Sequence, residues 1–207
     1  EKMTTASTSP TTLDLTARKT AAGVYMPYIG GQWVDASWEQ TYDNLDPADH
    51  SSVWGQVPEC TPQEVASAVE HAGAAFSSWR FSTGDFRTKA FYRLTGMLKE
   101  SEDFFVPLMT REMGKTLFDS RLDFLEAVGV CEALSPQGAS LKGVTYQKLT
   151  PGLAMESRLA PRGVAAIITP FNFPLAIPLA QIMAAIISGC TVAWKPSHLT
   201  PECSQAI

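Results

Sequence analysis

The stretch RGVAAIITPFNFPLAIPLAQIMAAIISGCTVAWKPSHLTP, residues 162–201, decides the fold. Val164 to Ile168 is a short uninterrupted apolar run, as expected of a strand buried on both faces of a parallel sheet. From about Pro174 to Ser188 the chain is apolar nearly all round, the pattern of a buried helix. Pro178 is tolerable there because first-turn N–H groups have no intrahelical partner. Gly189 stands where a left-handed C-terminal residue would. Thr191 to Trp194 is the next strand, and Thr200 and Pro201 open a further helix as cap and first residue. The unit is a βαβ crossover of the usual length, which makes the chain α/β.

That geometry bears on function. In open parallel sheets, ligands bind outside the carboxyl ends of the strands. Two polar loops, Thr169 to Asn172 and Lys195 to His198, emerge at that edge, so an amide and an ammonium face one crevice. Neither GxGxxG nor GxxxxGK[ST] occurs, so the usual dinucleotide fingerprint and the P-loop are both missing.

Upstream, Val144 to Leu149 and Leu153 to Leu159 flank Pro151 and Gly152, a hairpin with a Pro-Gly turn. Its arms mix polar and apolar residues, so cover on one face is expected, with an edge that can pair with another subunit. Four helices precede it. Thr61, Pro62 and Glu64 spell a capping box, followed by an apolar stripe at Val65, Ala68, Val69, Ala72 and Phe76. The second runs from near Asp85 to Lys99. The third opens at Ser101 to Asp103, where acids suit the positive helix end, and stops near Gly114. The fourth covers Asp119 to Leu134. Closer to the start, Gly30 and Gly31 sit between short strands, a hairpin signal. Asn44 to Pro47 is a turn and Val53 to Val57 a strand.

Bulk properties narrow the classes. At 207 residues, 45% hydrophobic and 18% charged, this is ordinary globular material. A net charge of −5 argues against nucleic acid or an anionic membrane as partner. The longest apolar run, Pro174 to Ile187, falls short of the roughly 18–20 residues of a span, and Gln181 interrupts it. Residues 1–22 read as a disordered tail with no secretory signal. Cys60, Cys131, Cys190 and Cys203 form no CxxC pair, which fits reduced thiols in a cytoplasmic compartment. His50 and His71 lack Cys or Asp partners, so no metal site is expected.

Four segments resemble the aldehyde dehydrogenase superfamily, in order and in register from about Tyr25 to Ile207. Gly163 to Pro174 is similar to its "GV…I.PWNFP" segment, and Gly189 to Pro201 to its "aaGn.vvlKps..tp" segment. Arg111 to Lys115 resembles the "trEmGK" helix end, and Gly30 to Val34 the "ingkWv" hairpin. The resemblance implies a Rossmann-like cofactor-binding domain. Residues 23–142 are its N-terminal part, 143–161 an oligomerisation hairpin, and 162–207 the first βαβ of the core. It implies NAD or NADP as cofactor, a small-molecule aldehyde as substrate, and a homodimer or homotetramer joined through the hairpin.

Residue by residue, the resemblance makes Asn172 the catalytic amide that donates to the oxyanion formed when a cysteine thiolate attacks the aldehyde. The bland alternative is a turn Asn closing its own loop. Lys195 would bond the adenosine ribose hydroxyls, with Ile168, Thr169, Pro170, Phe171, Ser197 and His198 lining the same cofactor site. His198 stands where NAD-preferring members often carry Glu, which opens the site to a 2′-phosphate. Glu112 and Lys115 are expected to be structural or a solvated helix end. Phe124 and Val128 are placed near the aldehyde passage.

The family's nucleophilic cysteine and water-activating glutamate lie well downstream of the lysine segment. None of the four cysteines here has a matching context. The expectation is therefore the N-terminal portion of an enzyme that oxidises an aldehyde or semialdehyde to the acid, with the catalytic domain outside the sequence and the 207 residues alone inactive. The alternative is an inactive truncated homologue that binds nucleotide or serves assembly.

Overall fold

Gly30 and Gly31 take φ values of 62° and 83°, a left-handed pair that glycine adopts without strain. They turn β1 (Tyr28–Ile29) back onto β2 (Gln32–Trp33). The computed structural model describes residues 18–35, 38–147 and 150–207. Most of the tail expected over 1–22 lies outside them, as do Lys148 and Leu149 in the first hairpin arm. Residues 18–22 are held in place: Lys19 bridges to Tyr25 and its ammonium reaches Glu202, so the expected tail boundary runs too far.

β3 (Thr41–Leu45) pairs antiparallel with β4 (Val53–Pro58). Only β4 is legible in the sequence, because β3 carries Asp43 and Asn44 where an apolar alternation is looked for. Asn44 is nonetheless buried.

α1 (Pro62–Trp79) starts at the expected capping box, Thr61 with Glu64. Its expected apolar stripe is a correction. No α1 residue is buried, and Val65 and Val69 are exposed. The helix lies mainly over a parallel pair of strands, so much of that face has no layer opposite it among the described residues. α2 (Gly84–Lys99) is capped by Thr83, and α3 (Glu102–Met113) ends at Gly114 with φ 82°. α4 (Leu117–Leu134) begins two residues before the expected Asp119, because Thr116 accepts from the Asp119 N–H. The one-turn α5 (Gln137–Ser140) is not signalled by any periodic pattern.

β5 (Val144–Tyr146) and β6 (Met155–Ser157) form the expected hairpin around Gly152 at φ 86°. All six strand residues are exposed, so neither face is covered where cover on one was expected. β7 (Val164–Ile168), α6 (Ala176–Ile187) and β8 (Thr191–Lys195) make the crossover. β7 and β8 run parallel, from Val164 opposite Thr191 to Ile168 opposite Lys195. Gly189 sits at φ 90° between α6 and β8. α7 (Pro201–Ala206) follows.

The core is helical. Phe91 and Leu98 of α2, Phe105 and Met109 of α3, Phe124 and Cys131 of α4, and Met183 and Ile187 of α6 form one cluster. β7 is a second correction. Only Ile167 is buried in it, and Ile168 is 75% exposed. A two-stranded parallel sheet leaves an open edge and open face that the double-sided burial in the sequence pattern does not anticipate. The architecture is α/β, as expected.

Candidate functional site

Ile168 and Lys195 are register partners at the carboxyl ends of β7 and β8. The loops carrying Asn172 and His198 therefore leave the same sheet edge. Asn172 is exposed, and its amide has no hydrogen-bond partner among the described residues. The loop-closing role open to a turn Asn is thus not the one it fills. Lys195 is likewise exposed with no side-chain partner among the described residues. Pro170 and Phe171 are exposed beside them.

Thr169 behaves differently from its neighbours. It is 5% exposed, and its hydroxyl accepts from the Trp194 indole N–H at 2.9 Å. What it can offer a ligand is main chain. Ser197 uses its hydroxyl to accept from the Leu199 N–H at 3.2 Å. The exposed His198 ring lies 5.6 Å from that of Tyr42, tilted by 41°.

Two buried carboxylates fix the loops from beneath. Asp123 of α4 is fully buried and 3.0 Å from the Lys115 ammonium, itself almost fully buried. The other Asp123 oxygen accepts the Ala176 N–H at 3.0 Å, at the first residue of α6. Lys115 also lies 4.5 Å from the centroid of the Phe173 ring. Burial pushes the Asp123 carboxyl up, and Lys115 pulls it back.

Glu112 of α3 does the same for α7. Its carboxylate accepts from the N–H groups of Glu202 at 2.6 Å and Cys203 at 2.9 Å, and from the Asn44 amide at 3.1 Å. Thr200, the expected cap, makes no side-chain cap bond. A carboxylate is the stronger acceptor for those donors. Glu202 in turn accepts from the Tyr25 hydroxyl at 2.8 Å and from Lys19 at 2.9 Å, with Arg111 at 3.4 Å. Burial pushes Glu112 up to about 7 against the pull of its backbone donors, and pushes the Tyr25 hydroxyl up as well.

Glu112 and Lys115 are thus structural, as one expectation held, and not a solvated helix end. Asp123, Asn44, Tyr25 and Glu202 were missed. The signal that could have found two of them is periodic. Glu112 falls on the apolar stripe Phe105, Leu108, Met109, and Asp123 on that of Ala127 and Cys131, so each is a charge at a core position. Phe124 is 2% exposed and its ring lies 6.5 Å from that of Phe105 in the core. Val128 packs against the same cluster.

Cys60, Cys131 and Cys203 lie where burial disfavours the thiolate. Burial raises Cys60, raises Cys131 to about 11 and raises Cys203, whose neighbour Glu112 adds to the effect. Cys190 accepts from the Arg162 N–H at 3.4 Å. Depressions in the surface run beside α3, one lined by Asp46, Pro47, Arg111 and Lys115, and do not reach Asn172 or Lys195.

Residues 33–207 match the model of the aldehyde dehydrogenase family. A non-phosphorylating aspartate-semialdehyde dehydrogenase from Halomonas elongata is 32% identical over 182 residues, which cover 87% of this chain and 36% of that protein. A succinate-semialdehyde dehydrogenase [NADP(+)] from Escherichia coli is 31% identical, over 86% of this chain and 37% of its own. Among solved structures, an aldehyde dehydrogenase from Brucella melitensis biovar abortus 2308 superposes with a TM-score of 0.83 at 29% identity, over 87% of this chain and 37% of that one. Betaine aldehyde dehydrogenase from Staphylococcus aureus in complex with NAD+ gives 0.79 at 30%, over 84% and 35%. The chain spans a little over a third of the length of these proteins.

Proposed function

The chain belongs to the aldehyde dehydrogenase family, and from that premise we propose that it supplies the oxyanion donor and cofactor wall for the NAD(P)+-dependent oxidation of an aldehyde or semialdehyde to the carboxylic acid. The observation that carries this reading is the Asn172 amide, which is exposed and unbonded at the sheet edge where the unpaired Lys195 ammonium also stands.

Asn172 donates its N–H to the oxygen of the tetrahedral adduct formed when a thiolate adds to the aldehyde carbon. That bond strengthens as negative charge builds, so the amide favours the adduct over the free aldehyde. Lys195 donates to ribose hydroxyls, and Ile168, Pro170, Phe171, Ser197, His198 and the Thr169 main chain line the same face. A cation without an intrachain partner and a solvent-facing apolar ring suit a sugar and a base. A nicotinamide cofactor held by these residues would supply the hydride acceptor. His198 in place of an acid leaves room for a 2′-phosphate, and the relatives' printed names include both NAD+ and NADP(+). Burial disfavours the thiolate at Cys60, Cys131 and Cys203, and the chain's part is donor and wall, with the nucleophile and the water-activating carboxylate supplied by residues other than these.

The hairpin of β5 and β6, exposed on both faces, is the proposed site of homodimer or homotetramer pairing within the 143–161 unit. We assign 23–142 and 162–207 to the cofactor-binding domain. Four free thiols suit a cytoplasmic setting. No helix among the described residues is long and apolar enough to cross a membrane.

The test is NAD(P)H formation with a short aldehyde by a protein that joins residues 1–207 to the nucleophile and the water-activating carboxylate, alongside cofactor titration and the intact mass of the expressed protein. Asn172→Ala lowers turnover by about 10²–10³ with cofactor binding intact, and Lys195→Ala weakens cofactor binding. The disfavoured thiolates at Cys60, Cys131 and Cys203 favour one second reading, a nucleotide-binding or assembly protein without turnover. A joined protein that binds NADP+ but never reduces it supports that reading, and one that does neither sinks the first.

A further inference from the structure

We infer that the buried Lys115–Asp123 pair is a positioning device for Asn172. The two charged groups are 8% and 0% exposed. An ion pair so deeply buried rarely stabilises a fold more than apolar residues of the same shape, because desolvation offsets the attraction. Its presence therefore calls for a task that apolar residues cannot perform.

The contacts name that task. α6 has no side-chain cap of its own at Leu175. Asp123, from α4, takes the Ala176 N–H in its place and so fixes where the loop 170–175 enters the helix. Lys115 holds the second Asp123 oxygen and sets its charge over Phe173, the immediate neighbour of Asn172. At the other end of the loop, Thr169 is tied to Trp194. Pro170 and Pro174 restrict φ inside the span. Asn172 lies between these two tethers, and its amide bonds nothing among the described residues, so its direction is inherited from the loop. If the Ala176 tether is lost, the amide is displaced, and a misplacement of about 1 Å can cost ~10²-fold in rate.

This inference rests on the reading of Asn172 as the oxyanion donor, and its test separates the two. Asp123→Asn, the double variant Lys115→Met with Asp123→Leu, and Asn172→Ala are compared by amide hydrogen exchange and by steady-state kinetics. The double variant removes the tether while keeping the site filled, so it melts at or above the wild-type temperature. Exchange at Ala176 and across 170–175 rises about tenfold or more in the double variant, and less in Asp123→Asn, whose amide oxygen can still accept the Ala176 N–H, while α2 and α3 stay protected. The kcat falls, the cofactor KM is unchanged, and adding Asn172→Ala to the double variant costs little further. Unchanged exchange over 170–176 in the double variant overturns the inference. So does a kcat loss that adds in full to that of Asn172→Ala. The kinetics are read in a protein that joins this chain to the nucleophile. Absent turnover in that wild type fails the proposed function, and the exchange measurement then decides the role of the pair alone.

Discussion

The two strand-end loops and the β5–β6 hairpin are both excursions from the fold, and they are built in opposite ways. Beneath the loops, Glu112, Asp123, Glu202 and Thr169 are buried and bonded, and each bond joins elements distant in sequence. In the hairpin all six strand residues are exposed and no core residue backs them. A region whose polar groups are buried and paired has one available arrangement, since any other leaves a charge desolvated without a partner. A ribbon without a core is defined by its backbone ladder and by whatever packs on it. The first construction holds a reactive amide still, and the second offers an edge.

The contrast breaks most sharply at Asp123. Asp123→Ala leaves the Lys115 ammonium buried and alone, and removing one partner of such a pair costs about 3–5 kcal/mol. Thermal or denaturant unfolding checks it. A loss below about 1 kcal/mol would mean water reaches the site and the loop is not anchored as described.

Glu112 sharpens the comparison through pH. Its folded-state pKa, about 7, is above the ordinary carboxylate value, so the fold favours the protonated form. The contribution is fully present below that ordinary value and is lost as pH rises through about 7. Wild type therefore loses stability relative to Glu112→Gln across that window, by about 3 kcal/mol at most. Parallel stability–pH curves for the two proteins would show that its three donors hold Glu112 ionised throughout.

In the hairpin, the one tight contact is at Gly143, where an added Cβ would meet the Ser157 carbonyl oxygen at 1.9 Å. Gly143→Ala disrupts the β5–β6 pairing yet lowers global stability by only about 0.5 kcal/mol, because no core residue is touched. Sedimentation reads the proposed pairing of subunits, which weakens while the melting temperature holds. Smallest of all is Lys89→Ala. It removes an i,i+4 bridge to Asp85 at 2.7 Å with both partners exposed, worth about 0.3–0.5 kcal/mol and less in salt.

What was legible in the sequence follows the same division. The capping box at Thr61, the glycine stop at Gly114, the Pro-Gly turn and the crossover from Val164 to Lys195 depend on neighbours within a few residues, and each forms as expected. The candidate edge follows from the crossover alone. The cap on α7 was read as Thr200 because local rules offer no other acceptor. The actual acceptor, Glu112, is ninety residues away in sequence. Asp123 and Ala176 are fifty-three apart. The exposure of Val65 and of β7 depends on how many layers pack above them, which periodicity does not record.

The knot around Glu202 has a consequence for the order in which the molecule assembles. Its bonds to Tyr25 and Lys19 close loops of 177 and 183 residues, and each doubling of loop length adds about 0.6 kcal/mol of closure entropy. Such contacts are poor candidates for an early nucleus, whereas the helices of the core make theirs over shorter spans. On a ribosome Tyr25 and Asn44 emerge able to bond each other, but without the two carboxylates that complete their bonding, Glu202 for the hydroxyl and Glu112 for the amide. The Asn44 amide waits for a carboxylate 68 residues further on, and the Tyr25 hydroxyl for one 177 residues further on. A chain interrupted before Glu202 carries a buried-type hydroxyl without its acceptor, a natural mark for a chaperone or a protease to read.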